Sequence, residues 1–282
     1  MLPSVAFWYK MHLMFYRIVT ALVFWCVSLP VLAEPNWQTD GESLHYNIYW
    51  SFIKAGEASI TYQPAKDNGY TIRSNAWTTS GVRSLFTLKD IITVTGKHTN
   101  SMGFLPEKYD LKLSENDYRA DKNVRYNRGN REAIYTNIWG KQKPRSFSIT
   151  TETRDMISAL YFLRATQSSA KVGDVFSLPV FDLDKSYLMD VKIIGKEILE
   201  INKQEIDTLH IQPVLHGVSD KRTTDKWHIW ATNDGSFTPV KIAVEMKVGG
   251  FKAVLDKRWV GGHETKLHKG KAMRTNNPLT GF

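Results

Sequence analysis

The chain has 282 residues, one cysteine, 42% hydrophobic residues and a formal net charge of +9. A single cysteine excludes an internal disulfide framework, and the length suffices for one large all-β domain with its own core. The basic excess suits an anionic partner, such as a membrane surface or an envelope polymer.

Residues 18–29 are an almost unbroken apolar run, with Arg17 just before it. Pro30 breaks the run, and Val31, Leu32 and Ala33 form a small-x-small cleavage pattern. A charged start, an apolar run of roughly 7–15 residues and such an end make a secretory signal peptide. A membrane anchor needs about 20 apolar residues, so cleavage after Ala33 and a periplasmic product are expected. Met11 and Met14 are alternative starts. Cys26 lies inside the run and lacks the preceding small residues of a lipoprotein site, so the processed chain carries no cysteine and no acyl anchor. Its core must then supply stability without disulfides. Without Lys10 and Arg17 the net charge falls to +7. Such a charge permits nucleic-acid binding, but export argues against it.

From residue 34 to 262 a single β-rich domain is expected. LHYNIYW puts Leu44, Tyr46, Ile48 and Trp50 on one face and His45, Asn47 and Tyr49 on the other, the period of a half-buried strand. EASITY follows as a hairpin partner, and YTIRSNAW, DIITVTGKH, EKYDLKLSE and NVRYNRGNREAIYTNIW repeat the pattern. Beyond residue 170 it continues in SYLMDVKIIGKEILEI, TLHIQPVL, DKWHIWATNDGSFTPVKIAVEMKV and FKAVLDKRWV. Glycine with Asn or Asp marks the joints. About a dozen antiparallel strands result, with no βαβ rhythm and hence no parallel sheet. The basic segment from His263 to the end reads as a flexible tail.

One stretch departs from this rhythm. TETRDMISALYFLRA, residues 151–165, reads as a helix, with Thr151 or Thr153 as cap and Glu152 and Asp155 at its positive end. Met156, Leu160 and Leu163 share one side, with Ile157 and Tyr161 beside them and Phe162 widening the apolar surface. A helix this apolar must pack on the concave face of a curved sheet, and small Ala159 allows a close approach. Arg154, Asp155, Tyr161 and Arg164 are expected to hold it in place. Leu160 is expected to plug the sheet.

Candidate chemistry is sparse. No G-x-S-x-G turn is present, and no cysteine survives processing. His263 and His268 are five apart, whereas the zinc-protease pattern needs four, so no metal and no cofactor are expected. His228 and Trp230 share a strand face and line either a ligand pocket or merely the wet side of the sheet. Asp182 and Asp184 are either paired carboxylates or ordinary loop residues. GVRSLFTLKD, residues 81–90, fits neither period. With Leu85 and Phe86 it is either an apolar loop at the mouth of a site or a buried connection. Leu85, Phe86, Phe162 and Trp230 are therefore the candidate ligand-binding residues.

The order GESLHYNIYW…AGEASITY, RDMISALYFLR, then a tryptophan strand ending in NDGSFTPVKI resembles the exported bacterial proteins of domain of unknown function 3108. Gly41, Glu42, Leu44, Tyr46, Ala55 and Gly56 match its first element. Arg154, Asp155, Ser158, Ala159, Leu160, Tyr161 and Arg164 match the second, and Trp230, Asp234, Pro239 and Val240 the third. The resemblance implies export and carries no activity. At the level of fold, the chain is also similar to the half-barrels of periplasmic lipoprotein carriers, where a curved sheet wraps helices around an apolar cavity; fold alone does not fix function.

The expectation is a non-enzymatic carrier of a lipid or acylated protein in a mainly β half-barrel with one central helix. A scaffold without a cavity ligand is the alternative, and a hydrolase of an envelope polymer a distant third. The sequence leaves the oligomeric state open. Intact mass of the exported protein should show loss of residues 1–33; a retained leader or a lipid adduct would contradict this.

Overall fold

The computed structural model describes residues 36–84, 86–99, 101–216, 226–245 and 250–267. The leader, Cys26, Leu85 and the tail beyond Leu267 lie outside the described residues. A short helix α1 (Trp37–Asp40), capped by Asn36, opens the fold. Eight strands follow: β1 (Glu42–Trp50), β2 (Ile53–Pro64), β3 (Gly69–Thr78), β4 (Lys89–Thr99), β5 (Gly103–Glu115), β6 (Tyr118–Asn127), β7 (Glu132–Asn137) and β8 (Arg145–Ser148). Helix α2 (Met156–Thr166) interrupts them. The chain then runs through β9 (Val175–Asp182), β10 (Lys185–Ile201), β11 (Gln204–His216), β12 (Lys226–Thr232), β13 (Pro239–Glu245), β14 (Gly250–Val260) and β15 (His263–Glu264).

The strands make one antiparallel sheet in the order β8-β7-β6-β5-β4-β3-β2-β1-β14-β13-β12-β11-β10-β9. Each half is a simple meander, and the pairing of β14 with β1 joins the halves. Among the described residues, β8 and β9 remain unpaired with each other, so the sheet is a half-barrel and not a closed one. Bulges such as those between His45 and Tyr46 and between Thr95 and Gly96 curve it. Gly96 is required there, since a Cβ would stand 2.2 Å from the Leu105 carbonyl. β15 pairs with β14, and Leu267 packs on the core beside Leu44 and Leu255. The segment expected to be a tail from His263 thus begins as ordered structure, because the edge of β14 offers it backbone partners.

The helix starts later than its sequence suggests. Arg154 pairs through its backbone with β9, accepting from Phe181 N (2.8 Å) and donating to the Pro179 carbonyl (3.1 Å). Residues 151–154 are therefore non-helical, and neither Thr151 nor Thr153 is the cap. Asp155 takes that position and accepts from Ile157 N and Ser158 N at 2.9 Å and from Ser158 Oγ at 2.6 Å. Burial pushes its carboxyl above its ordinary pKa against the pull of these donors. The Arg154 guanidinium satisfies the carbonyls of Met102, Phe104 and Glu152 and covers the Phe162 ring at 3.9 Å.

The buried side of α2 is not the expected apolar stripe. Ser158, Ala159, Tyr161, Leu163 and Arg164 are buried, while Met156 and Leu160 are not. Tyr161 enters an aromatic cluster with Trp37, Tyr62 and Phe104, at ring distances of 5.5, 5.5 and 6.0 Å. Arg164, fully buried, makes a two-pronged bond to Glu42 on β1, at 2.6 and 3.0 Å. Arg258 from β14 adds a third bond to the same carboxylate at 2.9 Å. Burial alone would raise the Glu42 carboxyl; the two arginines outweigh it and hold the pKa below 4.5.

Removing one partner of such a pair strands a buried charge, so Glu42→Gln should destabilise by about 3–5 kcal/mol in urea unfolding. The folded pKa of Glu42 lies below its unfolded value. The pair's stabilisation is therefore complete above pH 4.5 and lost as pH falls through the lower folded value. That acid-side loss should shrink in Glu42→Gln.

Candidate apolar cavity

Helix α2 is held tightly on the flank facing β1–β8 and loosely on the other. Beside it, against the inner face of β10–β13, lies a cavity of about 450 Å³. The helix contributes Met156, Leu160 and Leu163; β10 contributes Met189 and Val191. β11 adds Ile211, Pro213 and Leu215, and β12 adds Trp227, Ile229 and Ala231. Phe237 and Ile242 complete the apolar wall, and Asp182 is the one charged lining residue among the described residues. Alternation explains the set: residues two apart on a strand face the same way, and in-register pairs such as Ile211 with Ile229 and Ile229 with Ile242 stack the rows. Trp227 at 49% exposure, Met156 at 37% and Leu215 at 36% mark the mouth.

Asp182 ends β9 at the rim, before the tight turn at Leu183 and Asp184. Surrounding protein raises its carboxyl above the ordinary value, and neighbouring Asp184 adds to the rise. Asp184 itself pairs with Arg145 at 2.6 Å, a link between the two open sheet edges. Asp184 is thus engaged by Arg145, and the two aspartates sit on one turn rather than facing each other across a cleft.

The cavity is not built from the four residues the sequence suggested. Leu85 lies outside the described residues. Phe86 is 40% exposed in the connection between β3 and β4 and does not line the cavity. Phe162 fills the opposite flank of the helix, pressed between Arg154 and Gly103, where a Cβ would come within 2.7 Å of its ring. Trp230 points to the other face of β12. There it stacks on His210 at 4.4 Å and donates its indole N–H to Glu197 at 3.0 Å. His228 shares that face, with its Nδ1 at 2.8 Å from His210 Nε2. The two-residue period of WHIW was therefore informative, but Trp227 and Ile229 are the inward residues. Leu160, expected as the plug, is part of the cavity wall.

Residues 45–256 match the family described as "Protein of unknown function (DUF3108)". The chain belongs to this family. No curated protein matches it. Among solved structures it is similar to a β-barrel-like protein of domain of unknown function DUF1849 from Brucella abortus. That similarity has a TM-score of 0.53 at 8% identity and covers 79% of this chain and 98% of the other. At that identity the likeness concerns the fold alone. The motif residues of this DUF3108 chain have structural positions: Arg154 ties the helix start to the Phe104 carbonyl of β5, Asp155 caps it, and Arg164 binds Glu42.

Two leucines on the cavity side of α2 should respond differently to truncation, because Leu163 is buried against the β9–β12 cluster and Leu160 is only half-buried. In delipidated protein, Leu163→Ala should cost about 2–5 kcal/mol and Leu160→Ala less than half as much. Equal costs in urea unfolding would show that Leu160 is packed as fully as Leu163.

Proposed function

We propose that this protein is a non-enzymatic periplasmic carrier that binds the apolar part of a lipid or acylated protein in the cavity beside α2. The observation that supports this reading is an apolar wall left uncovered by the helix, with Met156, Leu215 and Trp227 open to solvent at its mouth. The volume falls within the range of about 300–1,000 Å³ usual for small-molecule sites. A scaffold would have no reason to leave this wall uncovered, since exposed apolar surface of this kind commonly marks binding. The lone rim carboxyl favours a head group that donates hydrogen bonds, such as an amide, hydroxyl or amine. An acyl chain joined through an amide, as on an acylated protein, meets that demand.

Titration with the fluorescent apolar probe N-phenylnaphthylamine tests the reading. Saturable binding is expected, and Ile229→Asp, which puts a carboxylate in the wall, should weaken it at least tenfold (about 1.4 kcal/mol). Binding that is absent, or unchanged in the variant, would refute the reading. Organic extracts of gently purified protein, analysed by mass spectrometry, would then identify the natural ligand.

A further inference from the structure

We infer that the β1–β2 hairpin tip, with Phe251 beside it, docks this protein on an anionic lipid bilayer. The tip is WSFI, residues 50–53. Phe52 is 87% exposed, and Trp50 and Ile53 are each 45% exposed. Ser51 has φ +54, a conformation that tight hairpins normally give to Asn or Gly. A phenylalanine beside it gains nothing from the fold: its ring meets water, and the turn would form more readily with a polar residue. Phe251 stacks on Trp50 at 6.5 Å, which widens the apolar tip across β14.

This tip continues the cavity wall. Trp227 pairs with Val244, Val244 with Phe251, Phe251 with Trp50, and Trp50 with Ile53. Directly paired residues share a face and lie about 5 Å apart. One apolar row therefore runs along the rim, from the cavity mouth at Trp227 to the hairpin. Tryptophan and tyrosine prefer the membrane interface, and Tyr49 stands next to Trp50 with Lys252 over its ring at 5.6 Å. Lys252 flanks the tip, beside the paired charges of Lys54 and Glu57 (2.7 Å), and exposed Glu245 lies farther along the rim. The net charge of +7 expected after loss of the leader supplies attraction to an anionic surface. A bilayer fits these features together: rings to insert, cations to stay at the head groups, and a paved route from lipid to cavity.

The inference extends the proposed carrier function but can fail separately from it. Sedimentation of the purified protein with phosphatidylethanolamine–phosphatidylglycerol vesicles should show binding that weakens with salt. Phe52→Ser should reduce partitioning at least about tenfold, with melting temperature and N-phenylnaphthylamine uptake unchanged. Phe52→Trp should preserve partitioning. Wild-type protein that ignores the vesicles, or Phe52→Ser protein that binds them equally, would overturn the docking inference even if probe uptake is normal. Phe52-dependent vesicle binding without probe uptake would uphold docking and refute the carrier reading.

Discussion

The bond between Arg164 and Glu42 fixes the rest of the arrangement. Two charges with fully buried side chains are costly to remove from water, and only close, two-pronged geometry with further partners offsets that cost. Arg258 supplies a third contact on Glu42, Thr238 lies 3.4 Å from the Arg164 guanidinium, and the Trp37 ring lies under it at 4.5 Å. Each partner comes from a different part of the chain: α2, β1, β14, the turn before β13, and α1. A helix shifted by one residue would carry Arg164 away from all of them. The pair therefore selects one position for α2 rather than merely adding stability, and it does so beside the β1–β14 seam that joins the two meanders.

With the helix pinned from that side, its opposite flank is left over. Arg154 reaches the Phe104 carbonyl of β5 and lies on Phe162, so the flank towards β1–β8 is filled from the N-terminal end as well. Ala159 and Leu163 still touch the β9–β12 cluster. Met156 and Leu160 project past it. The sheet wall they face consists of side chains that cannot cross the gap, and a cavity remains. Its position follows from the anchoring of the helix, just as its apolar character follows from strand alternation.

Much of this was legible in the sequence. The strands showed through their period of two, and the helix through its spacing and acidic start. Its boundaries were harder, because Arg154 pairs with β9, a partner remote in sequence that overrides the local preference of residues 151–154. The buried face was misread for a similar reason. Hydrophobicity points to Met156, Leu160 and Leu163, but the inward side is set by Arg164, whose partner Glu42 is 122 residues away. Trp230 was an equally natural choice for a pocket. Periodicity separates the two faces of WHIW without saying which one is concave, and that depends on curvature imposed by bulges along the whole sheet. The place of Asp182, as the single carboxyl among the described residues of an apolar rim, depends on the ordering of β9 and β10.

Energies oppose a helix that moves aside as a lid. Swinging α2 away to admit a ligand would separate Arg164 from Glu42, and breaking such a buried pair costs about 3–5 kcal/mol before the aromatic contacts of Tyr161 are counted. The mouth offers a cheaper route. Met156, Leu215 and Trp227 are already partly in water there, and side-chain rearrangements at exposed sites are small and fast. Access by way of the rim therefore leaves the helix in place. α2 is thus a plug towards β1–β8 and a fixed wall towards β10–β13, and the carrier proposed above would exchange its amphiphile through side chains at the rim, not by motion of the helix. The apolar row through Phe251 and Trp50 begins at that same rim, so the cavity mouth lies on the same side of the sheet as the exposed Trp50, Phe52 and Phe251 rings.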